Sequence, residues 1–75
     1  MGSLPILSGR DVVKVFARDG WQVARQRGSH IILVKSGSMA TLSVPDHREV
    51  AKGTLRSLIR SSGLTDGEFV ALAGR

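Results

Sequence analysis

With 75 residues, eleven Lys or Arg against six Asp or Glu and a net charge of +5, the chain has room for one domain whose core buries about 60% of the unfolded surface. It has no cysteine, which excludes disulfide staples and thiolate metal sites, and its two histidines and scattered acids show no metal-ligand spacing, so no metal or cofactor is expected. No apolar run approaches the roughly 20 residues that span a bilayer, and no charged-then-apolar leader opens the chain; a soluble, cytoplasmic protein with no membrane partner is the expectation.

The start, "MGSLPI", resembles a myristoylation signal but has Ile6 where Ser or Thr is required, so residues 1–7 read as a loose N-terminal segment. Ser8 begins a helix signature: it can cap, Asp11 makes a weak capping box, and Leu7 with Val12 can form a hydrophobic staple. Val12, Val15 and Phe16 follow the helical stripe, and Gly20 is placed to end it, which predicts a helix over Gly9 to Asp19. The period then changes to two. Trp21 and Val23 alternate with polar Gln22, and Gly28-Ser29 turns the chain into "HIILVKS", a hairpin. "SGS" at Ser36 to Ser38 is a second turn, and "ATLSVP" is a third strand with Leu42 and Val44 in phase and Pro45 at its end.

"DHREVAKG" reads as a polar connector, after which Thr54 can cap a helix with Leu55, Leu58 and Ile59 on its apolar face and Gly63 at its stop. Thr65 to Glu68, "TDGE", is a capping-box pattern opening a short helix with Phe69, Val70 and Leu72. The predicted fold class is therefore α+β, in the order αβββα plus a terminal helix, with a three-stranded antiparallel sheet covered by helices on one face.

Strand phase decides where His30 points. Ile31 and Leu33 suffice to complete the core, which leaves His30, Ile32 and Val34 facing away from the helices. Ile32 and Val34 would then join Ala24 in an exposed apolar strip of the kind that marks a partner site. The alternative for His30 is a buried ring satisfied by a backbone carbonyl. Eight of the eleven basic residues are arginine, whose planar fork suits phosphate, so a polyanionic partner is favoured. The three aromatics, Phe16, Trp21 and Phe69, occupy core phases, which speaks against a base-stacking platform.

"SGRDVV", the "GW" before the first strand, "QRGSH", "VPDH", "GTLRSLI" and "SGL" occur together in one order from about Ser8 to Phe69. This set resembles the HicA toxin family of bacterial type II toxin–antitoxin systems. The resemblance implies a double-stranded-RNA-binding-domain-like fold, cleavage of mRNA without a metal, and silencing by a HicB-like antitoxin that covers the active site; the toxin would be a monomer when free and heteromeric with its antitoxin. The family's essential histidine falls on His30. Two departures stand out: Ser61-Ser62 occupies the place of a bulkier polar pair, and Ile32 and Val34 occupy positions that are often polar in relatives.

RNA carries its own nucleophile, so cleavage needs a base for the 2′-hydroxyl proton, cations for the phosphorane charge and an acid for the leaving oxygen. A histidine, with an ordinary pKa of about 6.5, suits the base, and His30 is assigned to it. Gly28 would make the turn that presents it. Ser29 would bind phosphate or orient the ring, or serve only the hairpin. Arg25, Arg27, Lys35, Lys52 and Arg56 are the RNA phosphate candidates, with Arg60 continuing the edge of the second main helix. His47 is the candidate acid, or a structural loop histidine. Ala24, Ile32 and Val34 are the antitoxin-contact candidates. The alternatives to a nuclease are a non-catalytic RNA-binding module of the same fold and a degenerate toxin that only binds a regulator.

Overall fold

The structure, a computed structural model, describes residues 4–75. Helix α1 (Gly9–Ala17) is followed by strands β1 (Gln22–Arg27), β2 (His30–Val34) and β3 (Leu42–Pro45), then by helices α2 (Lys52–Ser62) and α3 (Asp66–Ala73). The αβββα order with a terminal helix is as expected from the pattern of turns and periods. The opening Met1 to Ser3 of the myristoylation-like stretch lies outside the described residues.

Local chemistry accounts for each helix. The Ser8 hydroxyl accepts the Asp11 N–H at 3.1 Å and satisfies one of the free donors at the start of α1. At the other end Gly20 takes φ +96, while the Trp21 and Gly20 N–H groups donate to the Phe16 and Ala17 carbonyls, the paired bonds of a Schellman closure. This turn takes up Arg18 and Asp19, so the regular helix stops two residues short of the expected Asp19. In α3 the predicted capping box is complete: Thr65 Oγ1 accepts the Glu68 N–H and Glu68 Oε1 accepts the Thr65 N–H. The α2 start differs from expectation. Its N-cap is Ala51, without a side-chain cap, and Thr54 lies inside the first turn. Val50 explains the shift: it is buried, and its N–H donates to the Leu7 carbonyl at 2.8 Å, which pins the chain and lets the helix begin two residues later.

The sheet has the order β1-β2-β3 with both pairs antiparallel. Ile31 and Leu33 of β2, with Leu42 and Val44 of β3, pack with Val12, Val15, Phe16, Leu55, Leu58, Ile59 and Phe69 from the helices. Phe16 sits at the centre, its ring 5.2 Å from Phe69 and 6.4 Å from Trp21, within the range where aromatic quadrupoles attract. Two expectations are corrected. β1 has no buried face: Trp21, just before it, is in the core, but Val23 is 55% exposed. β1 is an edge strand with a neighbour on one side only. Nor are residues 4–7 loose, because Leu4 is buried in the core and Leu7 packs against it.

The start of α1 is wedged against the end of β3. The Gly9 N–H donates to the His47 carbonyl at 2.9 Å, and a Cβ built on Gly9 would overlap the Pro45 carbonyl oxygen. Gly9→Ala must therefore push α1 away from the sheet. It should destabilise the protein by about 1–3 kcal/mol, read as a lower urea midpoint, whereas the exposed Gly53, with open space around its Cβ position, should accept alanine without loss.

Candidate functional site

The second turn residue of the β1–β2 hairpin leads directly into His30. Gly28 takes φ +59 and Ser29 does not have positive φ, the pattern of a type II′ hairpin turn, which requires glycine at its first central position. His30 pairs with Arg27 on one side and Pro45 on the other, and Ile32 pairs with Arg25 and Ser43. Residues directly opposed in an antiparallel ladder share a face. His30 is exposed and stands on the face away from the helices, as the strand phase predicts.

The two arginines reach that face through a bulge. Pairing shifts between Val23, opposite Leu33, and Arg25, opposite Ile32, so Ala24 is an extra residue in β1. Without it Arg25, two positions after Val23, would share the face of Leu33 and the core. With it, Arg25 and Arg27 join His30, and Gln26 takes the opposite phase beside Ile31. Neither arginine has a carboxylate partner among the described residues. Together Arg27, Gly28, His30, Ile32 and Ser43 line an open depression of about 470 Å³.

The expected apolar strip is broken in the middle. Val34 is 40% exposed, but Ile32 is only 8% exposed although it lies outside the helix-side core. Flanked in the ladder by Arg25 and Ser43, it forms the floor of the depression instead of a surface ridge. Ala24 is exposed, so the antitoxin-contact candidates do not form one continuous surface.

The other phosphate candidates are not brought to this depression. Lys35, at the far end of β2, donates to Asp19 Oδ2 at 3.2 Å. Arg56 on α2 faces Asp66 at 3.5 Å. Lys52 and Arg60 are exposed on the same helix, on the other side of the sheet. His47 is exposed two residues after Pro45, the residue paired with His30, and its carbonyl is held by Gly9. The Ser29 carbonyl accepts the Asp46 N–H at 2.7 Å. Two residues that sequence reasoning passed over belong to this region. Ser43 was legible as the outward partner of Ile32 once the register was known. Asp46 was hidden in a stretch read as a connector, and its role emerges only from contacts with residues distant in sequence.

A solvent-open sheet face bearing an imidazole, two unpaired guanidinium groups and a shallow recess defines a small α+β domain suited to a polyanionic ligand. The model of the HicA toxin of bacterial toxin–antitoxin systems matches residues 9–64, from the first residue of α1 to the residue after the Gly63 stop, and the chain belongs to this family. Comparison with curated proteins returned no match. Among the described residues there is no cluster of three or more potential metal-binding side chains, and no helix is long and apolar enough to cross a membrane.

Ile32 and Val34 differ in a way that can be measured. Ile32→Ala should cost about 2–4 kcal/mol, as for a core aliphatic residue, while Val34→Ala should stay within about 0.5 kcal/mol. Equal shifts in denaturant midpoint would contradict this placement.

Proposed function

We propose that this toxin is an endoribonuclease that cleaves mRNA, with His30 as general base and a HicB-like antitoxin as its inhibitor. Three things support the reading: membership of a toxin family, the position of His30 on the open face, and above all the bulge that turns Arg25 and Arg27 to the same side. That last observation carries the argument. A single histidine on a strand is common, but a backbone irregularity that gathers two cations around it suits a reaction that builds negative charge on phosphorus.

In the proposed step the His30 imidazole accepts the proton of a ribose 2′-hydroxyl while the 2′-oxygen attacks the adjacent phosphorus. The P–O bond to the 5′-oxygen of the next nucleotide breaks, and that oxygen takes a proton from an acid, for which His47 is the candidate. The products are a 2′,3′-cyclic phosphate and a 5′-hydroxyl. Atoms and charge balance without water, and the step as written needs no metal. Arg25 and Arg27 hold the phosphate and offset its added charge, and the recess beside His30 accommodates the ribose or base next to it. The antitoxin acts by covering this face, with Ala24 and Val34 at its margin.

His30→Ala should lower cleavage of a labelled transcript by about a hundredfold or more, with the fold and RNA affinity retained, and wild-type products should carry cyclic phosphate ends. A variant that cleaves at the wild-type rate would refute the catalytic assignment. Arg25→Ala and Arg27→Ala should each weaken binding of uncleavable 2′-deoxy-substituted RNA across sequences, and each should reduce the slope of log affinity against log salt by about 0.7.

A further inference from the structure

Asp46 joins three parts of the fold at the base of the hairpin that presents His30. Its backbone N–H donates to the Ser29 carbonyl at 2.7 Å. Its Oδ2 accepts from Gln26 Nε2 at 3.3 Å, and the same nitrogen donates to the Gly28 carbonyl at 3.2 Å. Its Oδ1 accepts from Arg10 Nε of α1 at 3.4 Å. Both residues of the turn are thus tied to Asp46 at the end of β3, Ser29 through the Asp46 backbone N–H and Gly28 through Gln26 and the Asp46 carboxylate. The anchor itself is fixed, since Pro45 pairs with His30 and α1 abuts the Pro45–Asp46 backbone through Gly9. A two-residue turn at the tip of an edge hairpin has few other restraints, and the side chain immediately after it is His30.

On the reading that His30 is the general base, we infer that Asp46, acting through Gln26, is a positioning residue that holds the Gly28-Ser29 turn and thereby sets the imidazole over the recess. It touches neither RNA nor the reacting atoms. The Ala24 bulge is part of the device, because it puts Gln26 on the phase opposite His30, where it reaches Asp46 and leaves the arginines free.

The test compares wild type, Asp46→Ala, Asp46→Asn, Gln26→Ala and the Asp46→Ala/Gln26→Ala double variant on one labelled oligoribonucleotide that wild type cleaves, each at a temperature where circular dichroism shows it folded. Misplacing a reacting group by about 1 Å costs on the order of a hundredfold. Asp46→Ala and Gln26→Ala should therefore lower kcat about ten- to a hundredfold and change KM by less than about threefold, with the double variant no worse than the poorer single one. Asp46→Asn, which keeps an acceptor oxygen, should recover most of kcat. Amide exchange at residues 28–30 should quicken in Asp46→Ala while core amides stay protected. A wild-type kcat in both Gln26→Ala and Asp46→Ala, alongside an inactive His30→Ala, would overturn the positioning role and leave the nuclease reading standing. An inactive wild type, or a His30→Ala variant as fast as wild type, would overturn both.

Discussion

Everything in this small domain depends on β2 serving two environments at once. As the central strand it must supply Ile31 and Leu33 to the core, and the alternation of a strand then sends His30 and Ile32 to the opposite side. A one-residue slip in its pairing would bury an imidazole and expose two large aliphatic side chains. The apolar rungs with β3 make that slip expensive, so the packing that stabilises the fold also fixes the orientation of its candidate catalytic group.

β1 answers a different demand. It contributes no residue to the core, which frees it to carry charge, yet regular pairing would have aimed Arg25 and Arg27 at the helix side. The extra residue at Ala24 resolves this conflict by breaking the ladder once. Gly28 then ends the strand with a turn tight enough for His30 to pair with Arg27 immediately. Thirteen residues of hairpin, 22–34, thus combine a phase change, a positive-φ turn and an exposed imidazole, and the helices on the other side supply the stability that these irregularities draw down.

Much of this was legible from residue patterns because the signals were local. Ser8, Gly20, Gly63 and the Thr65–Glu68 pair marked helix ends through bonds made within a few positions, the turns on either side of the apolar run "HIILV" placed β2, and alternation in "TLSVP" placed β3. The failures involved information that is not local. Thr54 had the right chemistry for a cap, but Val50, buried against the N-terminal segment, set the start of α2 earlier. Val23 looked like an inner residue because nothing in its neighbourhood says that β1 is at the edge. The bulge has no glycine or proline to announce it, so the facing of Gln26 and both arginines became visible only from pairing. Ile32 was assigned the correct side but the wrong exposure, since flanking side chains on adjacent strands cover it. Asp46 was missed for the same reason: its partners lie 17 to 36 residues away in the chain.

The free edge of β1 has a further consequence for how the protein behaves in a crowded solution. An unpaired strand edge is a template on which another chain can add a strand, and charged side chains and bulges are the usual defences against it. Here the bulge interrupts the edge near its middle and two arginines crowd its second half, so copies of the chain repel one another where they would otherwise stack. The same few residues that shape the open face therefore also guard the strand beside it against addition of a second copy.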